Sequence, residues 1–256
     1  MSSFKTSLSK FGYLEQLAAN GTSLIHRLNP LLKIILSLIY IIFVVTANYF
    51  DVLELLGYLG LIIIMILLSK VSFYSLLKRS LIGLPISLCI GISNLFFANS
   101  VVDIGGVLIS SGVLSLITIV LKNILCLLAV FLLMATTRFE SIACELVHLK
   151  VPSIFVLQLV MIYRYIFLLV EEALIMMQAY QLKNPNINKI AFKDMGSFLG
   201  TLLVRSFKRS SEVYNAMKCR GFNVRSSYLN YETFKIENYF LIMMVLGIMI
   251  LIKVVF

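Results

Sequence analysis

The feature that most constrains this chain is a series of long stretches without a charged residue. Three of them follow one another at residues 34–50, 55–69 and 80–102, with 17, 15 and 23 residues. A helix of about 20 apolar residues is long enough to cross the hydrocarbon core of a bilayer. The chain is 60% hydrophobic and 13% charged, which is too apolar for an ordinary soluble domain. These stretches predict an integral membrane protein.

Five transmembrane helices are predicted in total. The three stretches form the first three, and Pro85 kinks the third in a way that neighbouring helices can absorb. A fourth helix runs from about Gly112 to Thr137 and contains Lys122, which must face the bundle or lie near an end of the span. The fifth lies between Glu237 and the C-terminus. The predicted fold class is therefore all-α.

The segments between these spans are predicted to be turns and short surface pieces. Residues 48–51 join the first two spans as a hairpin, and Asp103 with Gly105-Gly106 forms a turn. Residues 71–79 are predicted to lie at the membrane surface. This piece carries or adjoins three basic side chains, Lys70, Lys78 and Arg79. No Gly-Lys-Ser/Thr sequence is present, so a Walker-type nucleotide site is not expected.

The charges of these segments alternate along the chain. The basic positions are Lys5, Lys10, Arg27, Lys33, Lys70, Lys78 and Arg79, and the intervening loops carry Asp51, Glu54 and Asp103. Because basic loops remain on the cytoplasmic side, the N-terminus is predicted inside and the C-terminus outside. Residues 138–237, with 13 Lys or Arg against 8 Asp or Glu, are then one cytoplasmic segment.

The predicted organisation has four parts. A cytoplasmic N-terminal arm at residues 1–29 precedes four transmembrane helices at 30–137, and a C-terminal transmembrane helix occupies 238–256. Between them, residues 138–237 form a cytoplasm-side region. Residues 151–177 are nearly as apolar as the spans, so long helices are expected along or partly within the inner membrane face.

The N-terminal arm holds local signals for helices and turns. Phe11–Leu17 is predicted to be a short interfacial helix, and Asn20-Gly21 a turn. Pro30 suits the first turn of a helix, where its missing N–H is not needed. Arg27 and Lys33 flank the entry of this helix into the membrane.

Residues 201–222, TLLVRSFKRSSEVYNAMKCRGF, are predicted to form an amphipathic helix. One side gathers Leu199, Leu203, Phe207, Ser210, Tyr214 and Met217, and the opposite side gathers Arg205, Lys208, Arg209 and Glu212. Gly221 is expected to end the helix in the left-handed conformation, which leaves Arg220 on the last turn. The Arg220 guanidinium then either complements the helix dipole or offers its five N–H donors to a partner.

A second helix of this region begins at Pro152 and carries charges in an apolar setting. Arg164, Glu171 and Gln178 are seven residues apart, which places them along one narrow seam. Such a seam is either a structural ion pair that allows charge near lipid or part of a transport site. Residues 151–170 contain Arg164 as their one charge, so this stretch is also long enough to cross a bilayer.

Other polar residues give no pattern typical of a metal or nucleic-acid site. The cysteines, which are far apart, are Cys89, Cys126, Cys144 and Cys219. Neither His26 nor His148 has a ligand-like neighbour in the sequence. No basic cluster is interleaved with exposed aromatic residues. A metal site, a disulfide framework and nucleic-acid binding are therefore not expected.

Several of these motifs resemble the transmembrane T component, EcfT or CbiQ, of energy-coupling factor (ECF) importers, a branch of the ABC transporters. The arm sequence His-Arg-Leu-Asn-Pro-x-x-Lys at residues 26–33 resembles the His-Arg-Leu-Asp-Pro-x-x-Lys of the cobalt and nickel type, with Asn29 in place of Asp. Arg164-Tyr165 followed by Glu171-Glu172 resembles the opening of the first coupling helix in that family. The likeness extends from Gly12 to the last span and is strongest to the cobalt and nickel type, CbiQ.

The family carries an arginine motif at the end of each of its two coupling helices. The second motif, Ala-x-x-x-Arg-Gly-Phe, is matched by Ala216, Cys219, Arg220, Gly221 and Phe222. The first falls on Leu182, Lys183 and Asn184, where lysine replaces arginine. A lysine offers a point charge and not a planar fork, so this contact should be less directional. The resemblance implies that Lys183 and Arg220 lie at the tips of two long amphipathic helices that dock into cytoplasmic ATPases.

The resemblance also implies the role and partners of the chain. It would be the non-catalytic scaffold of an importer in the cell membrane, surrounded by lipid. It would transmit motion from two ABC ATPase subunits, CbiO-like or EcfA-like, to a substrate-capture S component. That component would be CbiM-like, with or without a small CbiN-like subunit. ATP and Mg²⁺ would bind the ATPases, and no cofactor would bind this chain. Cobalt or nickel is the expected cargo, with biotin or a shared vitamin module as the alternative.

A self-contained secondary transporter is the alternative from another class. It would require ionisable groups at mid-membrane and interrupted helices in two similar halves. In this sequence Lys122 alone lies well inside an apolar run, and the two halves differ. A membrane enzyme is less favoured, since no Asp-rich pair, nucleophile motif or histidine cluster stands at the end of a span.

Overall fold

The structure is a computed structural model that describes residues 23, 25, 26, 28–47, 52–97, 101–104, 107–184, 190–222 and 236–255. Within these ranges the chain is helical apart from one short antiparallel hairpin. It divides into two compact units, Met1–Ile142 with Glu232–Phe256, and Ala143–Tyr231. The first is a helical bundle, and the second contains two long helices.

The elements follow in the order α1 (Pro30–Thr46), α2 (Val52–Ser69), α3 (Phe73–Ser80), a 3₁₀ turn (Leu81–Gly83), α4 (Leu84–Phe97), β1 (Val101–Ile104), β2 (Val107–Ser110), α5 (Ser111–Thr136), α6 (Phe139–Glu145), α7 (Ser153–Lys183), α8 (Phe192–Cys219) and α9 (Ile236–Val255). The second unit contains α7 and α8, and α6 stands at the boundary between the units.

The start of α1 follows from its local sequence. Pro30 occupies the first turn, as predicted, where the missing N–H leaves no helical hydrogen bond unmade. Asn29 is the N-cap residue, and the Leu31 N–H donates to its Oδ1 at 2.9 Å. A side-chain oxygen at this place satisfies one of the N–H groups that a helix start leaves without a partner. Asn29, which replaces the aspartate of the motif that the arm resembles, therefore caps the helix as an aspartate would.

The core of the first unit is packed around α5. Its wholly buried side chains come from α1, α2, α3, α5 and α9, and the largest are Val44, Leu55, Tyr58, Ile66, Leu76, Leu125 and Met249. The outer faces of the same helices are also apolar, with Leu38, Ile64 and Ile86 exposed. Because lipid is as apolar as leucine, close packing and buried hydrogen bonds must hold such a bundle together.

Two lysines join α1 and α5 at opposite ends. The Lys33 ammonium, in the first turn of α1, donates to the Thr136 carbonyl at the end of α5 at 3.0 Å. The Lys122 ammonium, inside α5, donates to the carbonyls of Val45 and Ala47 at the end of α1, at 3.0 and 2.5 Å. Helix ends leave their last carbonyls without intrahelical partners, and each lysine supplies donors to them. Of the two predicted positions for Lys122, the structure shows the one that faces the bundle.

A small polar network lies in the same bundle. The Tyr40 hydroxyl donates to the Tyr58 carbonyl at 3.1 Å, and the Tyr58 hydroxyl donates to Glu54 Oε1 at 3.1 Å. The Glu54 side chain belongs to the first turn of α2 and is only 4% exposed. The prediction that Glu54 lies in a loop is therefore wrong. The tyrosine hydroxyl explains how the carboxylate is accommodated there, since a buried polar group requires a hydrogen-bond partner.

Several helices in the described ranges are long enough to cross a membrane. Those long and apolar enough to cross a membrane are Phe73–Asn94, Gly112–Thr136 and Ser153–Lys183. The shorter apolar helices are Pro30–Thr46, Leu53–Ser69 and Met243–Val254. The third and fourth predicted spans overlap helices of spanning length, whereas the first, second and fifth correspond to the shorter ones. Because α7 also has spanning length, the count of five spans remains a prediction.

The predicted all-α class is confirmed, and a short hairpin of β1 and β2 is the exception to it among the described residues. The two strands pair antiparallel, with Asp103 opposite Leu108. Val101 and Val102, predicted to end the third span, and Asp103, predicted to lie in a turn, all belong to β1. Those assignments are wrong because a short run rich in valine fits a strand as well as the end of a helix. The Gly105-Gly106 pair itself lies outside the described residues.

Several predictions fall on other residues that the structure does not describe. They concern the helix at Phe11–Leu17, the turn at Asn20-Gly21, Arg27 at the membrane entry, and the hairpin at residues 48–51.

Candidate functional site

The second unit is built on a hairpin of α7 and α8. The Tyr180 hydroxyl of α7 donates to Asp194 Oδ2 of α8 at 2.7 Å. Farther from the connecting segment, Glu172 of α7 forms an ion pair with Arg205 of α8. From the first contact to the second, the residue number decreases on α7 and increases on α8. The two helices therefore run antiparallel. The end of α7 at Lys183 and the end of α8 at Arg220 therefore lie at opposite ends of the hairpin.

The closed end of the hairpin is fixed by polar contacts. The Ala191 N–H donates to the Tyr180 hydroxyl oxygen at 3.4 Å, in addition to the bond from Tyr180 to Asp194. Asp194 stands in the first turn of α8, where a carboxylate is favoured by the helix dipole. These contacts explain why α8 begins at Phe192, nine residues before the predicted start at Thr201.

The predicted first motif lies at the end of α7. Lys183 is the last helical residue and is exposed, and the Leu182 side chain beside it is 85% exposed. The Asn184 N–H donates to the Tyr180 carbonyl at 3.0 Å, and Asn184 takes an extended φ of −129°. The predicted stop at Asn184 is confirmed. An ammonium and an apolar side chain are therefore presented together at this tip.

The predicted second motif lies at the end of α8 and has a well-defined cap. The Phe222 N–H donates to the Met217 carbonyl, and the Gly221 N–H to the Lys218 carbonyl, both at 3.0 Å. These two bonds with a left-handed residue form a Schellman motif, and Gly221 has φ +69°. The prediction that Gly221 ends the helix in the left-handed conformation is confirmed. Arg220 is thereby held at the exposed corner where the helix ends.

The surroundings of Arg220 leave its guanidinium accessible. Among the described residues, no ion pair or side-chain hydrogen bond of Arg220 is present. Ala216, whose carbonyl accepts the Arg220 N–H at 3.2 Å, and Cys219, a free thiol, are both exposed. The two small neighbours leave room for a partner to approach the planar fork, which suits bidentate contact with a carboxylate.

Two open clefts run between α7 and α8. The first, of about 650 Å³, is mainly apolar, and its lining includes Leu157, Met161, Tyr165, Phe207, Tyr214 and Met217. The second, of about 410 Å³, is polar, and its charged lining residues are Glu171, Glu172, Arg205, Lys208, Arg209 and Glu212. The predicted apolar side of α8 thus lines one cleft and the predicted charged side lines the other.

The polar side chains singled out on α7 differ in their contacts. Glu172 pairs with Arg205, whereas Arg164 and Glu171 make no ion pair within the described part of the chain. Sequence reasoning missed Tyr180 and Asp194 altogether. The acidic residue in the first turn of a helix was an available signal, but the tyrosine partner 14 residues away had none.

The described residues contain no group of three or more His, Cys, Asp or Glu that could hold a metal ion. The four cysteines are free thiols. The hairpin exposes basic side chains and apolar surface.

The fold and this site define a class of protein, a helical protein with apolar helices of membrane-spanning length and a long hairpin that carries a basic residue at each end. The chain belongs to the CbiQ family of cobalt transport proteins, which matches residues 21–229. The predicted family is thereby confirmed. Apolar helices of spanning length agree with a membrane transport component.

Two relatives extend this comparison. An uncharacterised protein, MJ1571, of Methanocaldococcus jannaschii is 26% identical over 230 residues, which cover 85% of this chain and 77% of that protein. The nickel permease LarQ of Lactiplantibacillus plantarum is 28% identical over 88 residues, which cover 34% of this chain and 32% of that permease. The similarity to LarQ is therefore confined to about a third of each protein.

Proposed function

We propose that this chain is the transmembrane scaffold subunit of an ECF-type importer. It binds two ATPase subunits through the two ends of the α7–α8 hairpin and holds a separate substrate-capture membrane subunit. The N-terminus and the hairpin lie on the cytoplasmic side, and the C-terminus lies outside. The chain itself performs no catalysis, and ATP and Mg²⁺ bind the partner ATPases.

The position of the two basic tips is the observation that carries this proposal. Counted from the Glu172–Arg205 pair, Lys183 lies 11 residues along α7 and Arg220 lies 15 residues along α8. At 1.5 Å per residue these lengths are about 17 and 22 Å. Because the helices are antiparallel, the tips point away from each other and are separated by up to about 40 Å. Such a separation favours two ATPases, each receiving one tip.

The apolar cleft supports contact with the capture subunit. Phe207 and Tyr214 of α8 are largely exposed on one side of it, and Ile162 and Ile166 of α7 are exposed on the other. Exposed apolar surface of this extent marks a site that contacts either another protein or lipid. A membrane-embedded capture subunit of the CbiM kind presents apolar helices that can fill it.

The proposed mechanism is a rigid-body transfer of motion. ATP binding brings the two ATPases together and moves the docked tips at Lys183 and Arg220. The hairpin carries this displacement to the capture subunit, which tilts and releases its substrate. The free energy comes from the ATPases, and the hairpin supplies stiffness and two points of attachment.

The proposed cargo is cobalt or nickel. The family is described as a cobalt transport protein, and the relative LarQ is named a nickel permease. The arm motif at residues 26–33 is the feature of this chain that supports the same choice. The ion binds the capture subunit and not this chain. Biotin or a shared vitamin remains the alternative cargo, and uptake of radiolabelled cobalt, nickel and biotin by cells that express the whole complex distinguishes them.

Affinity purification of the intact complex tests the scaffold role. We expect two ATPase subunits to copurify with the tagged chain, and Arg220→Ala to reduce the amount recovered. Arg209→Ala is the matched control, because Arg209 is an exposed arginine on the same helix but away from the tip. Recovery of the chain without any ATPase, from membranes that contain them, contradicts the proposal.

The length of α7 favours one second candidate, a secondary transporter that works alone. Its 31 residues are long and apolar enough to cross a membrane. In that arrangement Lys183 and Arg220 do not both serve as cytoplasmic tips. Substrate uptake by the chain alone, reconstituted in liposomes without ATPases, would support this candidate and exclude the scaffold.

A further inference from the structure

The short helix α3 (Phe73–Ser80) presents a basic and aromatic face away from the bundle. Leu76 and Ser80, one turn apart, are wholly buried, which fixes the inward side of the helix. Tyr74 and Lys78 lie about 160° away from Leu76 in either direction around the axis. The Tyr74 side chain is 75% exposed, and Lys78 is exposed. The orientation of this outward face is therefore set by packing and not by chance.

A further lysine stands immediately before this helix. Lys70 is exposed and has φ +57°, a left-handed conformation that glycine adopts at lower cost. Neither Lys70 nor Lys78 forms an ion pair within the described ranges. Residues 55–102 contain no Asp or Glu, so this part of the sequence supplies no counter-ion of its own.

The position of α3 in the chain indicates which negative groups lie near its lysines. The 3₁₀ turn Leu81–Gly83 joins α3 directly to the apolar helix α4, and Ile82 in that turn is exposed. α3 is the first part of Phe73–Asn94, which is long enough to cross a membrane. The first turns of a spanning helix lie at the depth of the lipid headgroups, where tyrosine is also favoured. Lysine ammonium groups at this depth meet phosphate groups.

We propose that Lys70 and the outward face of α3 form a binding surface for the headgroups of anionic phospholipids. Tyr74 lies between headgroup and acyl chain, and the two ammonium groups contact the phosphates. The occupant is a lipid and not a protein, because the patch combines uncompensated positive charge with an aromatic side chain at the membrane boundary. This surface is independent of the proposed ATPase contacts on α7 and α8.

Lipid titration of the full-length protein tests this surface. The purified chain in neutral detergent is titrated with phosphatidylglycerol or phosphatidylcholine of the same acyl chains, and bound lipid is counted by native mass spectrometry. We expect tighter binding of phosphatidylglycerol. Each lysine near an anionic surface contributes a factor of about five, so Lys70→Gln with Lys78→Gln should weaken it about 25-fold. Both lysines are exposed, so the variant should keep the wild-type unfolding temperature.

A charge-matched control separates this surface from a general effect of net charge. Lys193→Gln with Lys208→Gln removes the same charge from exposed positions on α8 and should leave phosphatidylglycerol binding unchanged. Equal losses in the two double variants would overturn the proposal. So would equal binding of the two lipids by the wild-type chain. If the Lys70 and Lys78 variant kept its lipid but lost a copurifying protein, the surface would be a protein contact and the proposal would be wrong.

Discussion

Glu172 and Arg205, which are 33 residues apart in the sequence, form the ion pair that joins α7 to α8. Both side chains remain partly exposed, at 34% and 54% respectively. Exposed pairs of this kind contribute modestly to stability and are weakened by salt. The pair therefore marks where the two helices meet and contributes only modestly to the stability of the hairpin.

A double-mutant cycle should measure this modest contribution. We expect Glu172→Gln and Arg205→Gln to show a coupling free energy of about 0.2 to 1 kcal/mol in thermal unfolding of the purified chain. Raising the salt concentration should reduce the coupling. A coupling of several kcal/mol would mean that the pair is shielded from solvent.

Arg220→Ala should lower ATP-driven uptake by the complex while membrane insertion stays normal. The loss of a buried charge-assisted contact with an ATPase costs roughly 2 to 5 kcal/mol, which corresponds to about 30-fold weaker docking or more. The measurement is uptake into vesicles that hold equal amounts of wild-type and variant chain. Lys208→Ala is the control, because Lys208 is exposed on the same helix and lies outside the apolar cleft. Normal uptake by the Arg220 variant would remove this residue from the mechanism.

Lys183→Ala should be less damaging than Arg220→Ala, and Lys183→Arg should be tolerated. An ammonium makes a less directional contact than a guanidinium, and the neighbouring exposed Leu182 can retain part of the contact. The same uptake assay compares the three variants directly. If Lys183→Ala proved more damaging than Arg220→Ala, the assignment of the first motif to residues 182–184 would be wrong.

Gly221→Ala should loosen the end of α8. A non-glycine residue held at φ +69° costs roughly 1 to 2 kcal/mol, so the cap should open more often. Faster amide hydrogen exchange in peptides that cover residues 216–222 is the expected result.

Gly200→Ala provides the opposite control for this cap. Gly200 lies inside α8 with no atom within 4 Å of the added methyl group, and alanine favours helix by about 0.5 to 1 kcal/mol there. In the Gly200→Ala variant, amide hydrogen exchange in α8 should be slower than in the wild-type chain or unchanged. Unchanged protection at residues 216–222 in the Gly221 variant would show that the left-handed cap does not hold Arg220.

The native thiol of Cys219 can report on the side of the membrane that holds the hairpin. In a chain without the other three cysteines, exposed Cys219 should resist a membrane-impermeant thiol reagent in intact cells and react after the cells are opened. A cysteine introduced at Asp103 should react in intact cells, because the acidic segments are predicted outside. Labelling of Cys219 in intact cells would contradict the coupling role, since no ATPase reaches that side.

Local chemistry explains which parts of the site sequence reasoning could predict. Pro30 in the first turn of α1 and Gly221 in the left-handed cap follow from the backbone preferences of single residues. The pairing of Glu172 with Arg205 depends on how two helices lie against each other, and a charge pattern along one helix cannot give it.

The wrong predictions for Val101, Val102 and Glu54 also concern contacts that a local sequence pattern does not show. Val101 and Val102 continue an apolar run, and hydropathy alone does not distinguish a strand from the last turn of a span. The charge of Glu54 favours a loop, whereas in the structure its hydrogen-bond partner is Tyr58, one helical turn later. Both cases depend on contacts that form only after the chain has folded.

The hydrogen bonds from Lys122 to the end of α1 have a consequence for the order in which the bundle assembles during synthesis. Ala47 leaves the ribosome 75 residues before the lysine whose ammonium its carbonyl accepts. At 5 to 20 residues per second, this interval is about 4 to 15 seconds. During that time α1 and α2 are already synthesised, and the Val45 and Ala47 carbonyls must be satisfied by water or by the insertion machinery. The first hairpin of the bundle is therefore completed only when a helix made much later arrives beside it.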